Sequence, residues 1–276
     1  GYYSQSSNQY GIHNVAVGYY SLYSLYTGSY NVGFGNNALR MNSSGSSNTA
    51  IGHYSLYSNV ANANTAIGYQ SLYWNTSGTN NTALGYNALN NGTGIYFTGS
   101  NCTVIGSSAQ TSTNSISNEI TLGNSSVTSL RCNATTITAL SDKRDKTDII
   151  PIVEGLAFLK QLNPVSFTWN TRDKAKVGIK SAGFIAQELL ALQKQSNIGD
   201  NLDLVSENNP EKLEARYGNL LPVIVKAIQE ESAEKDKEIL VLKIKSTEKD
   251  AEIDALKQRL DALEKRFNQM LTKSNK

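Results

Sequence analysis

The sequence predicts a mainly β fibre of stacked short coils, then a small α+β domain, then a C-terminal coiled-coil helix. Three observations predict it. A glycine recurs about every 17 residues up to residue 100, composition changes abruptly after residue 140, and an apolar heptad begins near Asn219. Residues 1–140 hold only Arg40, Glu119 and Arg131 as charged residues, whereas residues 141–276 hold all four prolines. Such a break marks a domain boundary. The formal net charge of +2 averages two unlike halves, so it points to neither nucleic acid nor membrane as a partner.

The repeat comes first. Gly1, Gly18, Gly35, Gly52, Gly68 and Gly85 are spaced 17, 17, 17, 16 and 17. Four positions after each stands Leu22, Leu39, Leu56, Leu72 or Leu89, with Gln5 in the first copy. Before the glycines run strand-like pieces such as Asn48-Thr49-Ala50-Ile51 and Asn81-Thr82-Ala83-Leu84. This period is too short for helix-pair repeats and suits one coil of a β-roll or β-helix, expected as two short strands and two turns. The glycine supplies a turn or a close backbone approach, and the leading Asn supplies turn chemistry. One coil buries too little to stand alone, so coils must stack, and low charge suits in-register ladders of like residues. Gly1 falls inside a repeat, which suggests a fragment of a longer chain.

Tyr23, Tyr57 and Tyr73, with Trp74, could make a carbohydrate-binding stripe; an aromatic ladder between coils is the plainer reading. His13 and His53 read as isolated turn histidines. Cys102 and Cys132 lie too far apart for a metal motif and read as small buried thiols in strands; no metal or cofactor is expected. No apolar run reaches the length of a membrane span.

Residues 110–140 read as a β neck, with strands over Glu119–Asn124 and Val127–Cys132 and an extended piece over Thr135–Leu140. Beyond it, Pro151 suits the first turn of a helix, and a short amphipathic helix runs from Leu156 to Asn163. Strands follow at 164–170, 176–180 and 182–185, then a helix from Ala186 to Gln193 and a short strand at 203–205. Trp169 and Phe184 read as core. From Asn219 the residues Leu221, Val225, Ile228, Ile239, Leu242, Ile253, Leu256, Leu260, Leu263, Phe267 and Met270, with Ser232, Lys235, Ser246 and Lys249 in the gaps, alternate steps of four and three. That is a coiled-coil seam, which Ser232, Lys235, Ser246 and Lys249 interrupt. Glu230, Glu231, Glu238, Glu252 and Arg259 fit partner-facing charges.

The chemistry gathers at the junction Leu140-Ser141-Asp142-Lys143-Arg144-Asp145-Lys146-Thr147-Asp148-Ile149. On residue type alone, Ser141-Asp142 reads as a turn or helix cap, and the alternating charges as a solvated helix start. This stretch, together with Ala182-Gly183-Phe184-Ile185-Ala186-Gln187-Glu188 and Leu220–Gln229, resembles the intramolecular chaperone domain (peptidase S74 family) of phage tail fibres and tailspikes. The Asn-Thr-Ala-Ile-Gly repeats resemble the segments that precede it.

The resemblance implies a homotrimer in which the chaperone aligns three chains, helps the fibre fold, and then cuts itself off between Leu140 and Ser141. It implies Ser141 as nucleophile and Lys146 as general base, with Asp142 as a helper. A serine hydroxyl needs a neighbouring base, and burial or the adjacent cations Lys143 and Arg144 could bring a lysine toward neutrality. The expected organisation is a repeat region at 1–109, a neck at 110–140, a chaperone domain at 141–218 and a coiled coil at 219–276. The expected setting is a virion tail fibre assembled in the host cytoplasm, contacting a host-surface glycan or receptor through its fibre region, without nucleic acid or membrane insertion. The alternative is a non-cleaving trimeric adhesin, a β-roll head on a coiled-coil stalk. Such an adhesin is expected to follow its stalk with membrane-anchoring strands. A glycosidase is disfavoured, since residues 1–140 offer one carboxylate where a pair is needed.

Overall fold

In the computed structural model the described backbone covers residues 1–90, 92, 94–133, 139, 141–153 and 155–274. The chain divides into two compact units: 1–141 with 165–183 and 206–214, and 142–164 with 184–205 and 215–276.

The first unit contains a β-solenoid. Its strands are β1 (Val15–Val17), β2 (Val32–Phe34), β3 (Thr49–Ile51), β4 (Thr65–Ile67), β5 (Thr82–Leu84), β6 (Thr103–Ile105) and β7 (Ile120–Leu122). They form one parallel seven-stranded sheet in chain order, with Thr49 opposite Thr65 and Ala50 opposite Ala66. Each coil contributes one three-residue strand, where the sequence suggested two. The far side of the coil cannot pair as a strand because Tyr20, Leu22, Leu39, Leu56 and Leu72 all have positive φ. There the coils are joined by single bonds such as Leu22 N–H to Ala38 O and Leu39 N–H to Ser55 O, each 3.0 Å.

The leucine of each coil takes an unusual backbone, φ near +50°, which costs roughly 1–2 kcal/mol per residue. Each of Leu22, Leu39, Leu56 and Leu72 is fully buried, and burial of such a side chain contributes about 1.5–3 kcal/mol. Burial wins, so the strained turn recurs in every coil. Gly52 is required for two reasons: its φ is +135°, and a Cβ there would lie 2.4 Å from the carbonyl oxygen of Gly68. The core is the column of these leucines with Ala50, Ala66, Ala83 and Val104.

The leading asparagines do more than turn the chain. Asn31, Asn48, Asn64 and Asn81 are fully buried. Asn31 Oδ1 accepts from Asn48 N–H at 3.0 Å and from Asn48 Nδ2 at 3.1 Å, while Asn48 Nδ2 also donates to Ala61 O at 2.8 Å. Each amide thus satisfies backbone groups of the next coil, which burial would otherwise leave unpaired. One coil is longer: Cys102 N–H meets Asn81 Oδ1 across 21 residues, where the same bond elsewhere spans 16 or 17.

Several expectations for the neck are corrected. Among the described residues of the neck only Ile120–Leu122 forms a strand; Val127–Cys132 is not a strand, and Cys132 is exposed, while Cys102 is buried as expected but lies just before a strand. Alternation alone does not supply a strand neighbour. The extended piece at Thr135–Leu140 lies outside the described residues apart from Ala139. Also in this unit, β8 (Val165–Asn170) and β9 (Val177–Gly183) form an antiparallel pair. The two strands expected at 176–180 and 182–185 are one. Trp169 is exposed rather than core, with its ring edge-on to Phe167 at 5.0 Å.

The second unit contains α1 (Leu156–Leu159), α2 (Ala186–Gln195), α3 (Gly199–Leu202) and α4 (Leu221–Ser274). Residues Val205–Ser206 and Glu214–Ala215 are the short strands β10 and β11. Pro151 lies in irregular, exposed chain, not in a helix, and α1 stops at Leu159 rather than Asn163. Phe158, Leu189, Leu204, Leu220, Val223 and Ala227 are buried, while Phe184 is half-buried. Gly155 lets α1 reach α4: a Cβ there would sit 2.4 Å from Ala227 N. Along α4, 54 residues long, the heptad residues from Leu221 to Met270 are exposed. Among the described residues no helix is long and apolar enough to cross a membrane.

Candidate functional site

The junction folds as a capped turn. Lys143–Asp145 form one turn of 3-10 helix, and Asp142, not Ser141, is the cap: its Oδ1 accepts from Arg144 N–H at 2.9 Å. The Arg144 guanidinium folds back on the same carboxylate, with Nε 3.1 Å from Oδ1 and one terminal nitrogen 2.6 Å from Oδ2. That fork holds the Asp142 carboxyl below its usual range and the guanidinium above its own. The pair is exposed, so it shapes the turn more than it stabilises the fold.

Lys146 closes the turn, its N–H donating to Lys143 O at 3.2 Å, and its backbone becomes extended, φ −126°. Ser141 and Lys146 are both exposed, as is every residue from Ser141 to Ile150. Leu140, the expected residue on the other side of the cut, lies outside the described residues. The cap reading of the motif is therefore realised at Asp142, and Asp142 is held by Arg144. That i, i+2 pair was missed because it forms only once the backbone has turned.

Phe184, from the second motif, bonds within the second unit to a residue just ahead of the third. Tyr217, just ahead of Leu220–Gln229, accepts at Oη from Phe184 N–H at 3.2 Å and lies 3.3 Å from Phe184 O, with the rings 5.6 Å apart. Asn163 Nδ2 donates to Glu188 at 3.0 Å. Glu230, expected to face a partner, instead accepts from Leu156 N–H at 2.7 Å and so caps α1, whose own first residue offers no cap. That bond, then burial countered by Lys226, keeps the Glu230 carboxyl below its ordinary value. Glu231 is tied within its own helix to Lys235 at 2.8 Å. No sequence spacing links Glu230 to Leu156, 74 positions away.

In the solenoid the aromatic residues stack on one another. Tyr57 and Tyr73 lie 4.8 Å apart and 18° from parallel. Arg40 sits 5.9 Å from both Tyr23 and Tyr57 and 4.6 Å from Tyr20. His13 stacks on Tyr30 at 5.0 Å, and His53 on Tyr54 at 4.2 Å. Trp74 meets Tyr73 edge-on at 4.6 Å and Tyr96, from the lengthened coil, at 5.8 Å and 78°.

Residues 141–196 match the family Peptidase_S74, chaperone of endosialidase. The match begins at Ser141 and takes in the junction turn, α1, β8, β9 and α2. Searches of curated proteins and of solved structures give no match.

Proposed function

We propose, from a chain that carries a chaperone-of-endosialidase domain after a charge-poor β-solenoid, that this is part of a phage tail fibre. In this reading the domain brings three copies of the solenoid together and is then cut away between Leu140 and Ser141. One observation carries it: the family match starts at Ser141, where the charge-poor region ends.

The assembly logic is physical. Threading three chains into a joint β structure is slow, because non-local contacts form only after loop-closure entropy has been met. A helix whose apolar seam is exposed over many heptads associates first and raises the local concentration of the solenoids. The seam of α4 has that character, and its occupants are the equivalent helices of two further copies. Once the helper leaves, the fibre is kinetically trapped.

For the cut, Ser141 Oγ attacks the Leu140 carbonyl carbon and its proton passes to Lys146. The Leu140–Ser141 C–N bond breaks and the amine leaves with a proton, giving an ester between Leu140 and Oγ. Water then hydrolyses that ester, restoring the hydroxyl and leaving a Leu140 carboxylate. Lysine side chains become effective bases when desolvated or crowded by like charge. Residues 141–146 are exposed in one chain, so copies closing around the turn supply that desolvation, and cutting waits for assembly. Asp142, held by Arg144, fixes the turn that presents Ser141. The contact for a host-surface glycan or receptor lies on the solenoid, at the corner of Trp74 and Tyr96, where the lengthened coil adds an exposed ring.

Expression of the full chain tests the cut. Denaturing electrophoresis is expected to show pieces corresponding to 1–140 and 141–276, with Ser141→Ala and Lys146→Ala giving one intact band. An intact wild type under folding conditions overturns the cut and leaves the non-cleaving adhesin.

A further inference from the structure

Among the described residues, the outer face of the solenoid sheet is left exposed within one chain. The central residue of each strand points inward: Ala50, Ala66, Ala83 and Val104 are essentially fully buried. Side chains alternate along a strand, so the third residue points outward. Those residues are Val17, Phe34, Ile51, Ile67, Leu84, Ile105 and Leu122, and they are 45, 55, 38, 37, 42, 39 and 53% exposed. The parallel register puts them in one column, Phe34 beside Ile51, Ile51 beside Ile67, and Ile67 beside Leu84. Seven apolar side chains in line are a continuous surface of the kind monomers rarely leave open, and parallel sheets are ordinarily covered on both faces. The tyrosine rows differ, because their rings already stack on one another within the chain.

We infer that this column is the seam along which copies of this chain meet, parallel and in register, each outward residue facing its counterparts in the other copies. The inference rests on the homotrimer reading above and adds the face that is used. Periodicity identifies the occupant. A surface that covers the whole column must offer an apolar group at every strand spacing, about 4.8 Å, over seven strands. Another copy of this chain offers that repeat. Charge agrees: in-register copies place like residues together, where like charges repel. Through residue 118 the only charged side chain is Arg40, and it is occupied over the Tyr20 ring. The exposed heptads of α4 independently call for parallel copies, so one association serves both surfaces.

The test uses the full chain. Ile51→Asp/Ile67→Asp introduces charges that are solvated in a lone solenoid and stacked against each other in the seam. The expected result is a solenoid piece digested at least tenfold faster by protease, while the 141–276 piece stays oligomeric. Ser44→Asp/Ser77→Asp, at exposed turns, is expected to leave digestion unchanged. Should the aspartates prevent folding, Ile67→Cys in a Cys102→Ser/Cys132→Ser background decides: oxidation is expected to give covalent dimers, and Ser77→Cys in the same background none. Absence of cross-linking at Ile67→Cys, or wild-type resistance of the aspartate variant with an oligomeric 141–276 piece, overturns the seam alone. A monomeric 141–276 piece overturns the trimer reading instead.

Discussion

The two halves of this chain solve opposite problems. In the solenoid successive coils repeat related bonds, and most buried polar groups are satisfied inside: Asn64 Nδ2 reaches Gly78 O at 2.9 Å, and Ser55 Oγ reaches Ala66 O at 2.9 Å. In the charged half the polar groups lie on the surface, and the longest element, α4, displays its apolar residues to solvent. Among the described residues the solenoid exposes a continuous apolar column along its sheet, and the helix exposes apolar residues along most of its length. A region with so little internal core has an association role, whereas a region with buried ladders has a persistent one. In the proposed reading the contrast is that between a durable fibre and its disposable assembler.

The sharpest way to break the comparison is at the coil contact. Gly52→Val forces a side chain against Gly68 O and a β-branched residue into φ +135°. Backbone strain and overpacking together cost roughly 2–6 kcal/mol, so the solenoid is expected to lose its cooperative unfolding transition while the helical signal of α4 persists in circular dichroism. Survival of that transition would mean that the coils are not held by close backbone approach.

Next in size is Asn48→Ala, which takes the acceptor Asn48 Oδ1 from the buried Asn64 N–H, while Asn31 Oδ1 and Ala61 O each lose one donor and keep another. A buried group left unpaired costs about 1–3 kcal/mol. The urea midpoint of the solenoid is expected to fall, whereas Ser44→Ala, at an exposed turn, is expected to leave it in place.

The smallest effect sharpens the other half. Glu230 is depressed in the folded state, chiefly by its bond to Leu156 N–H. A depressed carboxyl contributes stability that is fully present above its unfolded value and is lost as pH falls through the folded one. Glu230→Gln is therefore expected to lower the melting temperature of the released 141–276 piece modestly at neutral pH. The difference from wild type should shrink as pH drops below the ordinary glutamate range. A pH-independent difference would show that the carboxylate charge has no part in capping α1.

Much of this was legible without coordinates. The glycine and leucine repeats gave the coils, the loss of charge gave ladder stacking, and the heptad gave an exposed seam, because each depends on period alone. Ser141 and Lys146 were legible as a motif, and the family match begins at the same serine. What period could not give was direction. The sequence suggested a second strand per coil, whereas positive φ at Tyr20 and Leu22 makes that side a series of turns. It placed Trp169 and Phe184 in a core, yet Trp169 faces solvent and Phe184 is half-buried against Tyr217. Aromatic residues in alternating segments look alike whether their second face is covered or not.

The sequence by itself determined the coil, its recurring leucine, the scarcity of charge and the long heptad helix, since periodicity and composition act through neighbours at fixed spacing. Only the tertiary structure decided that the leading asparagines are buried crosslinks, that Arg144 holds Asp142, and that Glu230 caps a helix 74 positions upstream. These depend on which groups the folded backbone brings within about 3 Å, and no repeat or spacing encodes that distance.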